Sequence, residues 1–317
     1  MVDPRQKELL SHFFEHSSRQ LNRCLAPGMR CKATAIRAHS IQNSQVLDLL
    51  ARDGHVKGLT RRIDKDNGPI ISFDDVGQNQ ATVFEGFCSE HDSDIFKAID
   101  RNPFCLTEHL FLVAYRAVAR ELHAQMDGAA KIQGTYQKRV QLGIDNSDEP
   151  TETGMLAVEH FARSYFTYLY KCSFDEALVF KKHGAVLHHL IPISHDEPTI
   201  AVCSHLALDN LSRNGEAVRL TLNVLPIGRT KSAAVFSYLP HDAAPVKSAL
   251  NRILSSEGVY QKYLLSKLAL NNCENFVVSP SYFDKWSDAK KQAITDYFVE
   301  TLAVGNLEVE NQNLYLF

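Results

Sequence analysis

The chain has 317 residues, 44 % hydrophobic and 22 % charged, which excludes a disordered polyelectrolyte and leaves room for one large core or two ordinary ones. No run of about 18 apolar residues occurs, and the start, MVDPRQKELLSHFFEHSSRQLNR, lacks an apolar h-region and a small-residue cleavage site. No membrane association and no secretory leader are therefore expected, and the compartment expected is the cytoplasm. The net charge of −3 hides an asymmetry: residues 1–65 carry 12 Lys and Arg against 6 Asp and Glu (+6), leaving 22 against 31 (−9) for the rest. A basic front end on an acidic body fits a nucleic-acid footprint and fits an ordinary solvated helix surface equally well.

Residues 5–23 predict a helix, with Leu9, Leu10, Phe13, Phe14 and Leu21 near helical spacing. LAPGMRC then reads as a Pro–Gly turn between Cys24 and Cys31, followed by the apolar run 34–36. Residues 44–52 predict a second short helix stopped by Gly54. RRIDKDNGPIISFDDVGQNQ suggests a hairpin or extended insertion around Asn67–Gly68, and Cys88 opens a helix, CSEHDSDIFKAID. Helical spacing returns at 107–125 and 155–182. VLHHLIPI, TIAVCSHLAL, VRLTLNVLPI and SAAVFSYL then run at strand length between turn residues, predicting an antiparallel sheet of about four strands over 185–240. Leu220, Leu222 and Val224, two apart, are expected on one face. Helices follow at 244–254, 258–272 and 287–303. The expected fold class is α+β: a small zinc-bound module over 1–100, including the N-terminal helix, then a larger body of helices and antiparallel sheet over 101–317.

Seven cysteines without a leader favour reduced thiols or metal ligation over disulfides. Cys105, Cys172 and Cys203 sit among apolar neighbours and read as buried thiols. Cys24 and Cys31 flank a tight turn, and Cys88 and His91 stand two residues apart at a helix start. Tetrahedral zinc commonly takes two ligands from a turn and two from a helix N-terminus, where the dipole favours the thiolate. The six residues between Cys24 and Cys31 exceed the usual two to four.

The segments RCLAPGMRCKATAIRAHSIQNS and ATVFEGFCSEHDSDIF resemble the treble-clef, ββα-metal module of HNH nucleases, with Ala38–His39 where Asp-His stands and Cys88-x-x-His91-Asp92 where Cys-x-x-Cys-His stands. RAHSIQNS, DGHV, LTLNVLPIG and NNCENFVVSPS further resemble a bacterial protein family with an HNH-like front end, over nearly the whole chain; this brings a fold expectation and no activity. The HNH resemblance implies a structural zinc on Cys24, Cys31, Cys88 and His91, His39 as general base, and Asp92 and His55 as ligands to a catalytic Mg²⁺ or Mn²⁺. It also implies Asn43 orienting His39, and Arg37, Lys57, Arg61 and Arg62 on phosphate oxygens of nucleic acid, DNA above all. Ala38 departs from the pattern, since a methyl cannot coordinate a metal. His39 therefore has three readings, as base, as zinc ligand or as a turn residue, and Asp92 has a second one as a helix cap. Two functions follow: a metal-dependent endonuclease, or a non-catalytic zinc-stabilised protein that binds nucleic acid or a protein partner. By family analogy either would belong to bacterial defence against phage. His188, His189 and His195 invite a second metal site, but neighbours on a strand face opposite ways, and His205 reads as a hydrogen-bonded core residue. No Gly-rich phosphate loop or nucleophile elbow occurs.

Overall fold

The computed structural model describes residues 4–17, 20–64, 68–101, 106–208, 217–304, 307 and 309–317. In chain order its elements are α1 (Pro4–Ser17), β1 (Ile36–His39), α2 (Asp48–Leu50), β2 (His55–Asp64), β3 (Gly68–Gly77), β4 (Val83–Phe87), α3 (Ser89–Arg101), α4 (Thr107–Gln141) and α5 (Glu152–Val179). There follow β5 (Leu187–Ser194), β6 (Ile200–Leu208), β7 (Val218–Gly228), β8 (Lys231–Tyr238), α6 (Ala243–Leu254), α7 (Gly258–Asn272), β9 (Phe276–Val278), α8 (Pro280–Phe283) and α9 (Asp288–Val304). The α+β class expected from the sequence is what the chain adopts.

Two compact units interleave along the chain. One holds Met1–Ala38, Phe84–Asp94 and Val118–Lys182; the other holds His39–Val83, Ile95–Ala117 and His183–Phe317. The units do not follow the division at residue 100 expected from the sequence. The reason lies in the insertion between β1 and β4, whose hairpin strands pair with the C-terminal sheet.

In the first unit the C-terminal part of α4 and helix α5 run antiparallel: Gly128 lies against His160, and Gly154 against Tyr136. Thr151 caps α5 by accepting the Gly154 amide. Helix α4 runs well past the end expected near residue 125, through Gly128 and Gly134, two residues that ordinarily weaken a helix. Its partner helix supplies the packing that propensity lacks.

The second unit is built on a seven-stranded antiparallel sheet in the order β3-β2-β9-β6-β7-β8-β5. The four strands expected over 185–240 are present, and they form four of the seven strands of the sheet. β9 pairs with both β6 and β2, and so joins the hairpin β2–β3 to the edge of β6. At three residues β9 is too short to show a periodicity. The hairpin itself falls where expected, its register closing at Asp64 opposite Gly68. The helix expected over 44–52 is present, as a π-helical turn at Asn43–Leu47 that runs directly into the single α-turn of α2.

Leu220, Leu222 and Val224 are all buried and share a core with Val246, Leu265, Ile294 and Phe298 of the C-terminal helices. The opposite face of β7 is buried too, since Thr221 and Asn223 have no exposed surface. Asn223 lines a small cavity of about 20 Å³ with Gln42, Val46, Ile99 and Arg116. Apolar–polar alternation was therefore a poor guide to burial in this strand. Cys203 and Cys273 are buried thiols, Cys172 is half-buried, and Cys105 lies outside the described residues.

Two histidines, His188 half-buried and His205 buried, give this sheet a pH dependence. His188 bonds the Ser237 hydroxyl at 2.9 Å across the β5–β8 pair, and burial pushes its pKa down to about 4. His205 on β6 is fully enclosed, and burial pushes it down to about 3. Between these values and the ordinary 6.5 the unfolded chain binds protons that the folded sheet refuses, so stability is complete above about pH 6.5 and falls as pH drops. A urea midpoint measured at about pH 7.5 and about pH 5 should fall on acidification, and His188→Asn should reduce that fall. An equal midpoint at both pH values would show that these histidines are not held neutral.

Candidate metal centre

The first unit carries a turn whose shape follows from its residues. Pro27–Met29 forms one 3₁₀ turn, closed by the Met29 amide on the Ala26 carbonyl at 2.8 Å. Gly28 (φ +72°) and Met29 (φ +51°) both take the left-handed conformation, which a glycine adopts without cost. This reversal accommodates the six residues between Cys24 and Cys31 while bringing the two sulfurs back together. Before the turn, the chain lies along β4, with the Leu25 amide donating to the Gly86 carbonyl at 2.7 Å. Asn22 clips the two arms: its carbonyl accepts the Ala35 amide at 2.8 Å, and its amide donates to the Ala35 carbonyl at 3.1 Å and to Glu85 at 2.8 Å.

On the other side, β4 delivers Cys88 to the residue just before α3, and His91 lies one turn in. The Asp92 amide makes the first helical bond to the Cys88 carbonyl at 2.9 Å. The four donor atoms meet within 4.8 Å of one another. Cys88 Sγ lies 3.1 Å and Cys24 Sγ 3.6 Å from His91 Nδ1, and Cys31 Sγ lies 3.9 Å from Cys88 Sγ. A tetrahedron with Zn–S near 2.3 Å and Zn–N near 2.0 Å has edges of about 3.8 Å between sulfurs and about 3.5 Å between sulfur and nitrogen. The group can hold a metal ion, and its donors and spacing suit zinc. With four protein donors the tetrahedron is complete, the pattern of a structural rather than a catalytic site.

The thiols differ. The His91 backbone N–H at the helix start pulls the Cys88 pKa down to about 7, whereas burial pushes Cys24 up to about 11. Cys88 is thus the thiol that loses its proton more readily, and Cys24 the one that holds it more tightly.

Helix α5 backs the turn with charge. Lys171 is fully buried and holds Asp175 at 2.5 Å, and the other oxygen of Asp175 accepts the Gly28 amide at 3.3 Å. Burial pulls the Lys171 pKa down; Asp175, then Cys172 and then Cys24 oppose that pull. Three thiolates around a divalent ion would leave one net negative charge, and Lys171 is a buried cation of the same unit that could meet it. Sequence reading missed this pair because nothing local in YKCSFDEA places it beside a turn some 140 residues earlier.

The remaining site residues are placed as follows. His39 ends β1, with Nδ1 3.0 Å from the Ala81 carbonyl, and it is not among the donors of the metal group. Asn43 donates to Asn79 at 2.8 Å, and His55 is exposed with Nδ1 2.8 Å from the Asp53 carbonyl. His39, Asn43 and His55 belong to the second unit, and Asp92, in the first turn of α3, belongs to the unit of the metal group. Lys57 pairs with Asp75 at 2.8 Å and Arg61 with Glu274, while Arg37 and Arg62 are exposed. Next to the metal group the turn forms an open concavity of about 480 Å³, lined in part by Arg23, Arg30 and Lys32. All three are exposed, and none makes an ion pair with any described residue. Their signal in the sequence was the basic residue beside each cysteine in RCLAPGMRCK. Comparison with family models, with curated proteins and with solved structures found no match.

Removing the charge of Lys171 should loosen the metal. Lys171→Met leaves Asp175 buried and unpaired, at a cost of about 3–5 kcal/mol. Metal content by elemental analysis after mild chelator treatment should drop well below that of the parent, and Lys171→Met combined with Asp175→Leu should recover thermal stability but not metal retention. Full retention in both variants would remove the charge-balancing role.

Proposed function

We propose that the protein is a zinc-stabilised nucleic-acid-binding protein, in which zinc on Cys24, Cys31, Cys88 and His91 fixes the turn that presents Arg23, Arg30 and Lys32 to phosphate. The observation that carries this reading is the contrast between two sets of cations. Lys57 and Arg61 are already matched by carboxylates, whereas the three on the turn face an open concavity without ion-pair partners among the described residues. Phosphate contacts of this kind give affinity and register rather than sequence choice.

A second reading, an HNH-like nuclease, is favoured by His39. If Nδ1 donates to the Ala81 carbonyl, Nε2 keeps the lone pair that a general base needs. The Mg²⁺ or Mn²⁺ that such chemistry takes does not fit the residues present. Ala38, buried at 3 % exposure, offers a methyl where the resemblance implies a carboxylate, and His55 is turned to its own turn carbonyl.

The test is binding of a fluorescent DNA duplex across a salt series. Each phosphate contact contributes a slope of about −0.9 in log K against log salt, so replacing Arg23, Arg30 and Lys32 by Gln should flatten the slope by about 2–3 and weaken binding, with zinc content unchanged. An unchanged slope would remove the turn from the interface. The same protein incubated with supercoiled plasmid in Mg²⁺ or Mn²⁺ is expected to leave it intact; nicking that disappears in His39→Ala while zinc is retained would establish the nuclease reading instead.

A further inference from the structure

Helix α5 buries a mixed side and leaves an apolar stripe exposed. The buried side carries Ser164, Thr167, Lys171 and Asp175 together with Tyr170, Phe174 and Ala177, none more than 8 % exposed. The side it exposes carries Met155 (60 % exposed), Val158 (64 %), Phe161 (64 %), Tyr165 (50 %) and Leu169 (44 %). These five recur at intervals of three and four, so they form one stripe about four turns long. Of the buried polar residues, Asp175 holds the metal turn, Lys171 pairs with Asp175, and Ser164 bonds the Phe161 carbonyl of its own helix. The exposed apolar side is left uncovered by the described residues.

We propose that this stripe is the interface of a homodimer, in which α5 packs antiparallel against α5 of a second copy about a two-fold axis at Ala162. Three observations select a second copy as the occupant. The first is area: given 150–250 Å² for a whole aromatic side chain, the exposed fractions amount to on the order of 500 Å². A standard interface takes about 800 Å² per partner, of which about 65 % is apolar in homodimers, so the stripe supplies the apolar share of one dimer face.

The second is symmetry. Ala162, half-buried on the same side of the helix, stands midway between Met155 and Leu169, so an antiparallel two-fold sets Met155 of one protomer opposite Leu169 of its partner and crosses the helices at this small side chain, where they can approach most closely. The third is charge. Glu159 and Arg163, an i,i+4 pair 2.5 Å apart and both about half exposed, flank the stripe. The same two-fold keeps them on one flank with an axial offset of about 3 Å between Glu159 of one protomer and Arg163 of its partner, so the rim is self-complementary. This inference is independent of the nucleic-acid reading, since it involves none of the turn cations.

Sedimentation equilibrium of the full chain at micromolar concentration should give twice the 35.6 kDa of one chain. Phe161→Glu combined with Tyr165→Glu changes two exposed positions to a good helix former, so helicity by circular dichroism and metal content should stay the same while the dimer dissociation constant rises at least a hundredfold. Under mild oxidation Ala162→Cys should give a covalent dimer in high yield. Ser173→Cys, exposed on the same helix but about 16 Å from the axis, should not. A parent that is monomeric at every concentration, including one that binds lipid vesicles instead, would overturn the proposal. So would a dimer that survives the double substitution, or equal cross-linking at positions 162 and 173.

Discussion

The first unit depends on one constraint, that four soft donors from two distant stretches of chain converge on a point. Cys24 and His91 are 67 residues apart, and the chain between them leaves to build most of a hairpin in the other unit before it returns. Closing so long an excursion carries an entropic cost that a two-stranded sheet of β1 and β4 is too small to offset alone. A bound metal would close it at a single point, and the local structure is arranged to that end. The left-handed pair Gly28–Met29 turns Cys31 back, Asn22 ties the arms of the turn, and β4 ends where α3 begins so that Cys88 sits at a helix start.

The same constraint reaches α5. A lysine with no exposed surface is expensive, and a buried Lys–Asp pair seldom stabilises a fold by itself. Here the pair has a further duty, since Asp175 also holds the Gly28 amide of the metal turn. The pair shares the inner side of the helix with Tyr170 and Phe174. Met155, Val158, Phe161, Tyr165 and Leu169 lie outward, and association is one way for a chain to cover such a stripe.

The sequence made the metal group legible because cysteine and histidine at short spacing beside a turn and a helix start have few other uses, and all four residues chosen on that ground converge. The strands of the second unit were legible from their apolar runs and turns, and the hairpin from Asn67–Gly68, although Asn67 itself lies outside the described residues. What escaped was non-local. The three residues of β9 carry no period of their own, yet they join the hairpin to the four-stranded part of the sheet. The reach of α4 past Gly128 depends on α5 lying against it, and burial on both sides of β7 comes from Val46, Ile99 and neighbouring residues that the sequence does not place there.

Charge shows the same limit in a form that bears on function. The excess of +6 over residues 1–65 sums two populations that only the structure separates. Arg52, Lys57 and Arg61 face Asp284, Asp75 and Glu274, so their fields are largely cancelled at a distance even where each exposed pair contributes under about 1 kcal/mol to stability. Arg23, Arg30 and Lys32 are not cancelled by any described residue, and they stand together on a turn whose shape the metal group sets. A polyanion senses the uncancelled field within about a Debye length of the surface, so what matters is where unmatched cations gather, not how many the segment contains. Three cations on a short turn rather than on flexible chain would grip phosphate at a lower ordering cost, because the backbone that carries them is already held.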